Sequence, residues 1–97
     1  MSKVYISGPI TGTEGYEQKF AAVENELKKR GAVPINPVRV NSVLPEDSSH
    51  EDYMKLSIAV LSVCDCICML NGWEQSKGAR EELCYALDHK IPIVFEV

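Results

Sequence analysis

The feature that most constrains the fold is a regular alternation of short apolar runs with segments of helical spacing. Four runs have the composition of β-strands, at residues 3–7, 32–36, 65–70 and 91–95. Helical spacing of apolar residues occurs between them, at 16–30, from about 50 to 63, and from 77 to about 89. This β-α-β-α-β-α-β order predicts a parallel sheet with helices on both faces.

Length and charge limit what the chain can be. Ninety-seven residues predict one domain, spanning 1–97. The net charge of −4 argues against a nucleic acid polymer as partner, because such binding needs basic patches. No apolar run has membrane-spanning length, and Met1-Ser2-Lys3 does not begin a signal peptide. We therefore expect a cytoplasmic protein that does not bind membranes.

The four cysteines and two histidines do not indicate a metal site. The cysteines lack the C-x2-C spacing of zinc ligands and have no supporting histidine. They are expected to be small buried apolar residues in a reducing compartment. His50 and His89 are isolated in the sequence and are interpreted as surface residues. The expectation is a protein without a metal or cofactor.

Three loops follow the carboxyl ends of the first three strands, which is where parallel sheets bind ligands. They cover 8–15, 36–50 and 71–77, with 37–50 expected to be irregular. The glycine pattern of the first loop is neither a dinucleotide fingerprint nor a Walker A loop. The third loop leads into a helix for which Ser76 is the predicted N-cap. Its strand–loop–helix arrangement is typical of an anion site.

Several side chains near these loops allow two interpretations. Glu82 borders the apolar stripe formed by Ala79, Leu83, Ala86 and Leu87. It is either a helix-start carboxylate that interacts with the helix dipole or a partly buried functional carboxylate. Glu81 lies outside that stripe and is expected to be solvated. Tyr5 is interpreted as an aromatic residue of the core. Trp73 is either a stacking surface or an interface anchor.

Five segments of the chain resemble a known group of enzymes. They are 4–12, 35–37, 52–55, 64–65 and 72–82. Together they resemble a small, largely uncharacterised domain of the nucleoside 2-deoxyribosyltransferase-like superfamily. The last segment, which contains Ser76, Gly78 and Glu82, is similar to the signature of 2′-deoxynucleoside 5′-phosphate N-hydrolases.

The resemblance implies roles for particular residues. Glu82 would attack C1′ of the sugar and form a glycosyl-enzyme ester, with Tyr5 close to it. Ser76 and Gly78 match positions that contact the sugar or its 5′-phosphate, and serine at 76 favours nucleotides over nucleosides. Further substrate-binding positions implied in the same way are Gly8, Ile10, Gly12, Ser57 and Trp73.

One position departs from the pattern of those enzymes. They carry an aspartate eight residues before the position of Asp65, and this chain has Ser57 there. Serine is a poor acid near neutral pH, so the departing base lacks its usual proton donor. Glu74 is a candidate substitute from the neighbouring loop.

The expected fold is a three-layer α/β sandwich of the flavodoxin/Rossmann-like kind, with a four-stranded parallel sheet in the order 2-1-3-4. The expected function is cleavage or transfer at the N-glycosidic bond of a nucleotide or nucleoside. The alternative is a non-catalytic module that binds a nucleotide or nucleotide-derived ligand. In either case the partner is a small molecule. The small size of the sheet and the resemblance favour a homodimer.

Overall fold

The computed structural model describes residues 2–96, so Met1 and Val97 lie outside the described part. Its elements in chain order are β1 (Lys3–Ser7), α1 (Tyr16–Lys29), β2 (Val33–Ile35), α2 (Pro37–Asn41), α3 (His50–Leu61), β3 (Cys66–Met69), α4 (Lys77–Asp88) and β4 (Ile93–Phe95). A single 3₁₀ turn, Trp73–Gln75, precedes α4.

The four strands form one parallel sheet in the order β2-β1-β3-β4, which confirms the predicted order. Strand β1 is central, pairing Tyr5 with Ile35 of β2 on one side and with Ile67 of β3 on the other. Strand β4 joins the outer side of β3, where Met69 pairs with Phe95. The carboxyl ends of β1 and β3 therefore lie side by side.

Alternate residues of the two central strands face different helices. Val4 and Ile6 pack with Phe20 of α1 in one cluster of buried side chains. Tyr5 packs with Leu61 at the end of α3 and with Ala79 of α4 in the other. Because side chains alternate along a strand, Ser7 points to the same face as Tyr5. The face of the sheet toward α3 and α4 therefore carries the polar side chains of β1.

The prediction that 37–50 is irregular was wrong at its beginning, where helix α2 forms. Asn36 caps this helix by accepting a hydrogen bond from the N–H of Val38 at 3.0 Å. Pro37 occupies the first helical turn, where its missing N–H costs nothing. The sequence Asn36-Pro37 thus begins a helix as well as ending a strand.

The buried carboxylate of Glu24 fastens α2 to α1. It accepts hydrogen bonds from Asn36 Nδ2 at 3.2 Å and from Arg39 Nε at 3.1 Å. Burial acts to raise the pKa of Glu24, but the bonds from Arg39 and Asn36 outweigh it and hold the pKa below its ordinary value. An ionised Glu24 therefore fixes both the start of α2 and its first turn.

The remaining element boundaries are close to the prediction. Helix α3 begins with a capping box, since Ser49 and Asp52 bind each other's backbone N–H groups. It ends at Leu61 rather than residue 63. Strand β4 begins at Ile93 rather than Ile91, because Lys90 has a positive φ of 57° and the N–H of Ile91 bonds back to Ala86 of α4.

No helix within residues 2–96 is both long enough and apolar enough to cross a membrane.

Leu87, which the helical pattern assigned to the apolar stripe of α4, is exposed instead. Of the four cysteines, Cys64 and Cys68 are buried and Cys66 is half-buried, as expected. Cys84 is exposed, contrary to that expectation.

Candidate functional site

The candidate site lies at the beginning of helix α4. Ser76 is its N-cap, as predicted, and its Oγ accepts a hydrogen bond from the N–H of Ala79 at 3.2 Å. Ala79 is buried against the sheet, and Glu82 lies almost one turn further along the same face. That spacing turns the Glu82 side chain inward, and only 7% of the residue is exposed.

The carboxylate of Glu82 is held by two hydroxyl groups from β1. Tyr5 Oη donates a hydrogen bond of 2.6 Å to Oε2, and Ser7 Oγ donates one of 2.6 Å to Oε1. Tyr5 and Ser7 are both fully buried. Each carboxylate oxygen thus has one fixed donor, so the orientation of the group is set by the central strand of the sheet.

Burial raises the pKa of Glu82 above its ordinary value of 4.5, although the hydrogen bonds from Ser7 and Tyr5 oppose the rise. Burial, and after it the negative charge of Glu82, raises the pKa of Tyr5 well above its ordinary value. The phenol therefore keeps its proton near neutral pH and remains a donor to the carboxylate.

A cavity of about 690 Å³ opens in front of Glu82. Six of the predicted site residues line it: Gly8, Ile10, Ser57, Ser76, Gly78 and Glu82. The walls are completed by α2, the segment that follows it, and the first half of α3. A space of this volume is within the range of small-molecule sites. It lies beyond the carboxyl end of β1, where parallel sheets bind ligands.

Glycine at position 8 is required by packing. A side-chain carbon there would lie 2.8 Å from Cβ of Leu70, which is too close for any Cβ atom. Gly8 thus lets the carboxyl ends of β1 and β3 approach each other at the cavity floor.

Two predicted substrate-binding residues are not among those that line the cavity. Trp73 packs against the buried cluster around Tyr5, and its ring centre lies 6.1 Å from that of Phe95. Gly12 is exposed and has a positive φ of 74°, which fits a turn residue. Neither position lends support to its predicted contact with a ligand.

Ser57 is buried in the cavity wall. Its Oγ donates to Asn41 Oδ1 at 3.4 Å. The candidate substitute acid, Glu74, is exposed and does not line the cavity. Among the cavity-lining residues in 2–96, the carboxylates are Glu82 and the exposed Glu46.

Sequence reasoning missed Ser7 and the contact of His50 with Glu81. Ser7 could have been found by extending the two-residue period of β1 from Tyr5. His50 is exposed, as expected, but it also lines the cavity, and its Nε2 lies 3.2 Å from Glu81 Oε2. The two residues are 31 positions apart, and only the packing of α3 on α4 brings them together.

The described residues contain no group of three or more histidine, cysteine, aspartate or glutamate side chains arranged to hold a metal ion. The site presents one buried carboxylate, two hydroxyl donors and the polar groups of the surrounding loops.

The fold is that of nucleoside 2-deoxyribosyltransferases, as two solved structures show. One is a 2-deoxyribosyltransferase from Bacillus psychrosaccharolyticus, with 17% identity, a TM-score of 0.77, and coverage of 97% of this chain and 71% of that one. The other is a 2-desoxiribosyltransferase from Leishmania mexicana, with 20% identity, a TM-score of 0.75, and coverage of 98% and 63%. At these sequence identities the comparison shows similarity of fold alone.

The chain belongs to the family described as "Domain of unknown function (DUF4406)", whose model matches residues 2–95. No curated protein matches it.

Proposed function

We propose that this protein cleaves or transfers at the N-glycosidic bond of a nucleotide or nucleoside, with Glu82 as the nucleophile. The observation that carries the proposal is the carboxylate of Glu82, buried at a cavity and held by Tyr5 Oη and Ser7 Oγ at 2.6 Å each. A nucleophile fixed in one orientation reacts with less loss of entropy than a mobile one. The two similar solved structures are 2-deoxyribosyltransferases, which supports the same reaction class.

The proposed reaction has two steps. In the first, one oxygen of Glu82 forms a bond to C1′ while the bond from C1′ to the base nitrogen breaks, and the base leaves with that electron pair and takes up a proton. In the second, a water oxygen, or a nitrogen of another base, bonds to C1′ and releases the carboxylate. Tyr5 and Ser7 orient Glu82 in both steps. The cavity-lining Gly8, Ile10, Ser57, Ser76 and Gly78 are proposed to contact the substrate.

A second candidate function is a non-catalytic module that binds a nucleotide-like ligand in the same cavity. The observation that favours it is Ser57, which lines the cavity at the position where the resembling enzymes carry an acid. Without an acid there, the base must leave as an anion or take its proton from water, and both slow the first step. Binding in the cavity does not require that acid.

Base release separates the two functions. The protein is incubated with the four common 2′-deoxynucleoside 5′-monophosphates and the matching nucleosides, and free base is measured by chromatography. Release by wild type that is lost in Glu82→Gln supports the enzyme. Glu74→Gln is the matched control, since Glu74 is an exposed carboxylate outside the cavity. Binding without release supports the module, and release that persists in Glu82→Gln contradicts Glu82 as the nucleophile.

We further propose a cytoplasmic location and a homodimer. Four unpaired cysteines among the described residues suit a reducing compartment.

The exposed apolar side chains include Leu87 on α4 and the edge-strand residues Val94 and Phe95, each about half exposed or more. Contact with a second copy could cover part of this surface. Sedimentation at several protein concentrations tests the dimer, and a single species of monomer mass throughout would contradict it.

A further inference from the structure

Among the cavity-lining side chains within residues 2–96, a full positive charge has one possible source, and the N-terminus of α4 adds a partial positive charge. The lining residues within 2–96 include two carboxylates, Glu46 and Glu82, and neither lysine nor arginine. His50 is the one lining side chain among them that can carry a positive charge. An anionic ligand would be repelled by the two carboxylates unless a cation near it offsets them.

The position of His50 is fixed by contacts to α4. Its Nε2 lies 3.2 Å from Glu81 Oε2. Its ring lies against the first turn of α4, since a side-chain carbon on Gly78 would come within 3.8 Å of His50 Cε1. The imidazole therefore borders Gly78 and lines the same cavity as Ser76, the two positions for which the resemblance implies contact with the sugar or its 5′-phosphate.

The ring nitrogens of His50 can serve different partners. A protonated imidazole carries a hydrogen on each nitrogen. Nε2 can then donate to Glu81, while Nδ1, which makes no hydrogen bond within residues 2–96, is free to donate to a ligand.

We propose that His50, oriented by Glu81, is a specificity-determining residue that selects ligands carrying a phosphate monoester over the corresponding free nucleosides. Its imidazolium offsets the cavity carboxylates and donates a hydrogen bond to a phosphate oxygen beside Ser76 and Gly78. This inference rests on the proposed nucleotide-like ligand of the same site. It does not depend on whether Glu82 breaks the glycosidic bond.

Binding to the Glu82→Gln protein tests the inference without turnover. Calorimetry gives the Kd of each common 2′-deoxynucleoside 5′-monophosphate and of each matching nucleoside. The quantity compared is the phosphate preference, which is the nucleoside Kd divided by the monophosphate Kd. Adding His50→Gln is expected to lower this preference about tenfold, the usual effect of losing one charge-assisted hydrogen bond.

Two further variants separate charge from structure. His50→Lys keeps a cation and is expected to hold the phosphate preference within about threefold of the His50 protein, because lysine also binds phosphate. His89→Gln is the control, since His89 stacks on Tyr85 and does not line the cavity.

Several results would overturn the inference. One is a phosphate preference that His50→Gln leaves within about twofold, since this is smaller than the loss of a charge-assisted hydrogen bond. Another is a lysine variant that loses as much as the glutamine variant. A third is the absence of any preference for monophosphates in the starting protein. Tight monophosphate binding that depends on His50, together with no base release by wild type, would contradict the enzyme and leave this inference standing.

Discussion

Tyr5 and Glu82 are 77 residues apart in the sequence, and a hydrogen bond of 2.6 Å joins Tyr5 Oη to Glu82 Oε2. Tyr5 lies in the central strand and is fully buried, so its hydroxyl cannot move away without disturbing the sheet. The bond therefore holds the carboxylate of Glu82, on α4, in a fixed position relative to β1. The proposed chemistry depends on that rigidity.

Removing the tyrosine hydroxyl tests this dependence. Tyr5→Phe leaves Oε2 of a buried carboxylate without its donor, and we expect kcat to fall about tenfold to a hundredfold. The free energy of unfolding should fall by about 1–3 kcal/mol, the range for an unsatisfied buried group. Base-release kinetics and denaturant titration measure the two effects. Tyr85→Phe is the control, and an equal loss of kcat in both variants would refute the role of Tyr5.

Ser7 acts on the other oxygen of the same carboxylate. Ser7→Ala is expected to lower kcat, and its effect should not add independently to that of Tyr5→Phe, because both hydroxyls hold one group. A double-mutant cycle on kcat and on the free energy of unfolding measures the coupling. Independent effects of the two substitutions would show that they do not act through Glu82.

The raised pKa of Glu82 predicts a specific pH dependence. Between the unfolded-state pKa, near 4.5, and the higher folded-state pKa, the folded protein binds the proton more tightly. Stability is therefore lost as the pH rises through this window, and the full cost of the buried charge is present above it. Glu82→Gln lacks that charge, so its stability relative to wild type should rise as the pH increases from the unfolded-state pKa through the folded-state pKa.

The same shift applies to activity. The nucleophile must be ionised, so the acid limb of kcat/KM should lie above pH 4.5, the ordinary pKa of glutamate. Urea titrations across this range and pH–rate profiles test both statements. A stability difference between Glu82→Gln and wild type that is constant with pH would contradict the raised pKa.

Ser57 offers a test of the missing acid. Ser57→Asp places a carboxyl group in the cavity wall and should increase base release about tenfold or more, if proton donation limits the first step. Ser57→Asn has a similar side-chain volume but is no acid, and it serves as the control. The account of Ser57 fails if both variants release base at the wild-type rate while remaining folded.

The cavity wall formed by α2 depends on Glu24. Glu24→Gln weakens the bonds to Asn36 and Arg39 and should cost about 1–3 kcal/mol near neutral pH. Because the folded-state pKa of Glu24 is lowered, its stabilisation is present above the unfolded-state pKa and is lost as the pH falls through the folded one. Glu26→Gln, an exposed partner of Arg30, is the control and should change stability little.

The parallel sheet and the N-cap of α4 were readable from the sequence because both are indicated by local signals. Alternating apolar runs specify the parallel sheet, and Ser76 binds the N–H of a residue only three positions away. The helix α2 was missed because Asn36-Pro37 ends β2 and begins a helix at the same point. The sequence pattern alone does not show that Asn36-Pro37 both ends a strand and begins a helix.

The details of the site depend on distant contacts that no spacing encodes. Glu82 was identified as a candidate, but its degree of burial is set by how β1 packs under α4. The pairing of His50 with Glu81 requires α3 and α4 to lie side by side. The ring of Trp73 lies near that of Phe95 in β4. The sequence of the loop that contains Trp73 does not indicate this contact.

The central claim is that Glu82 forms a covalent bond to C1′, and trapping that ester tests it most directly. A 2′-fluoro-substituted deoxynucleotide slows both steps, because fluorine destabilises the oxocarbenium-like transition state. Mass spectrometry of the intact protein and of its peptides then shows whether the sugar phosphate is attached and where. The account predicts an adduct on the peptide that contains Glu82, absent in Glu82→Gln and present in Glu74→Gln. An adduct on another residue, or turnover that continues in Glu82→Gln, would contradict it.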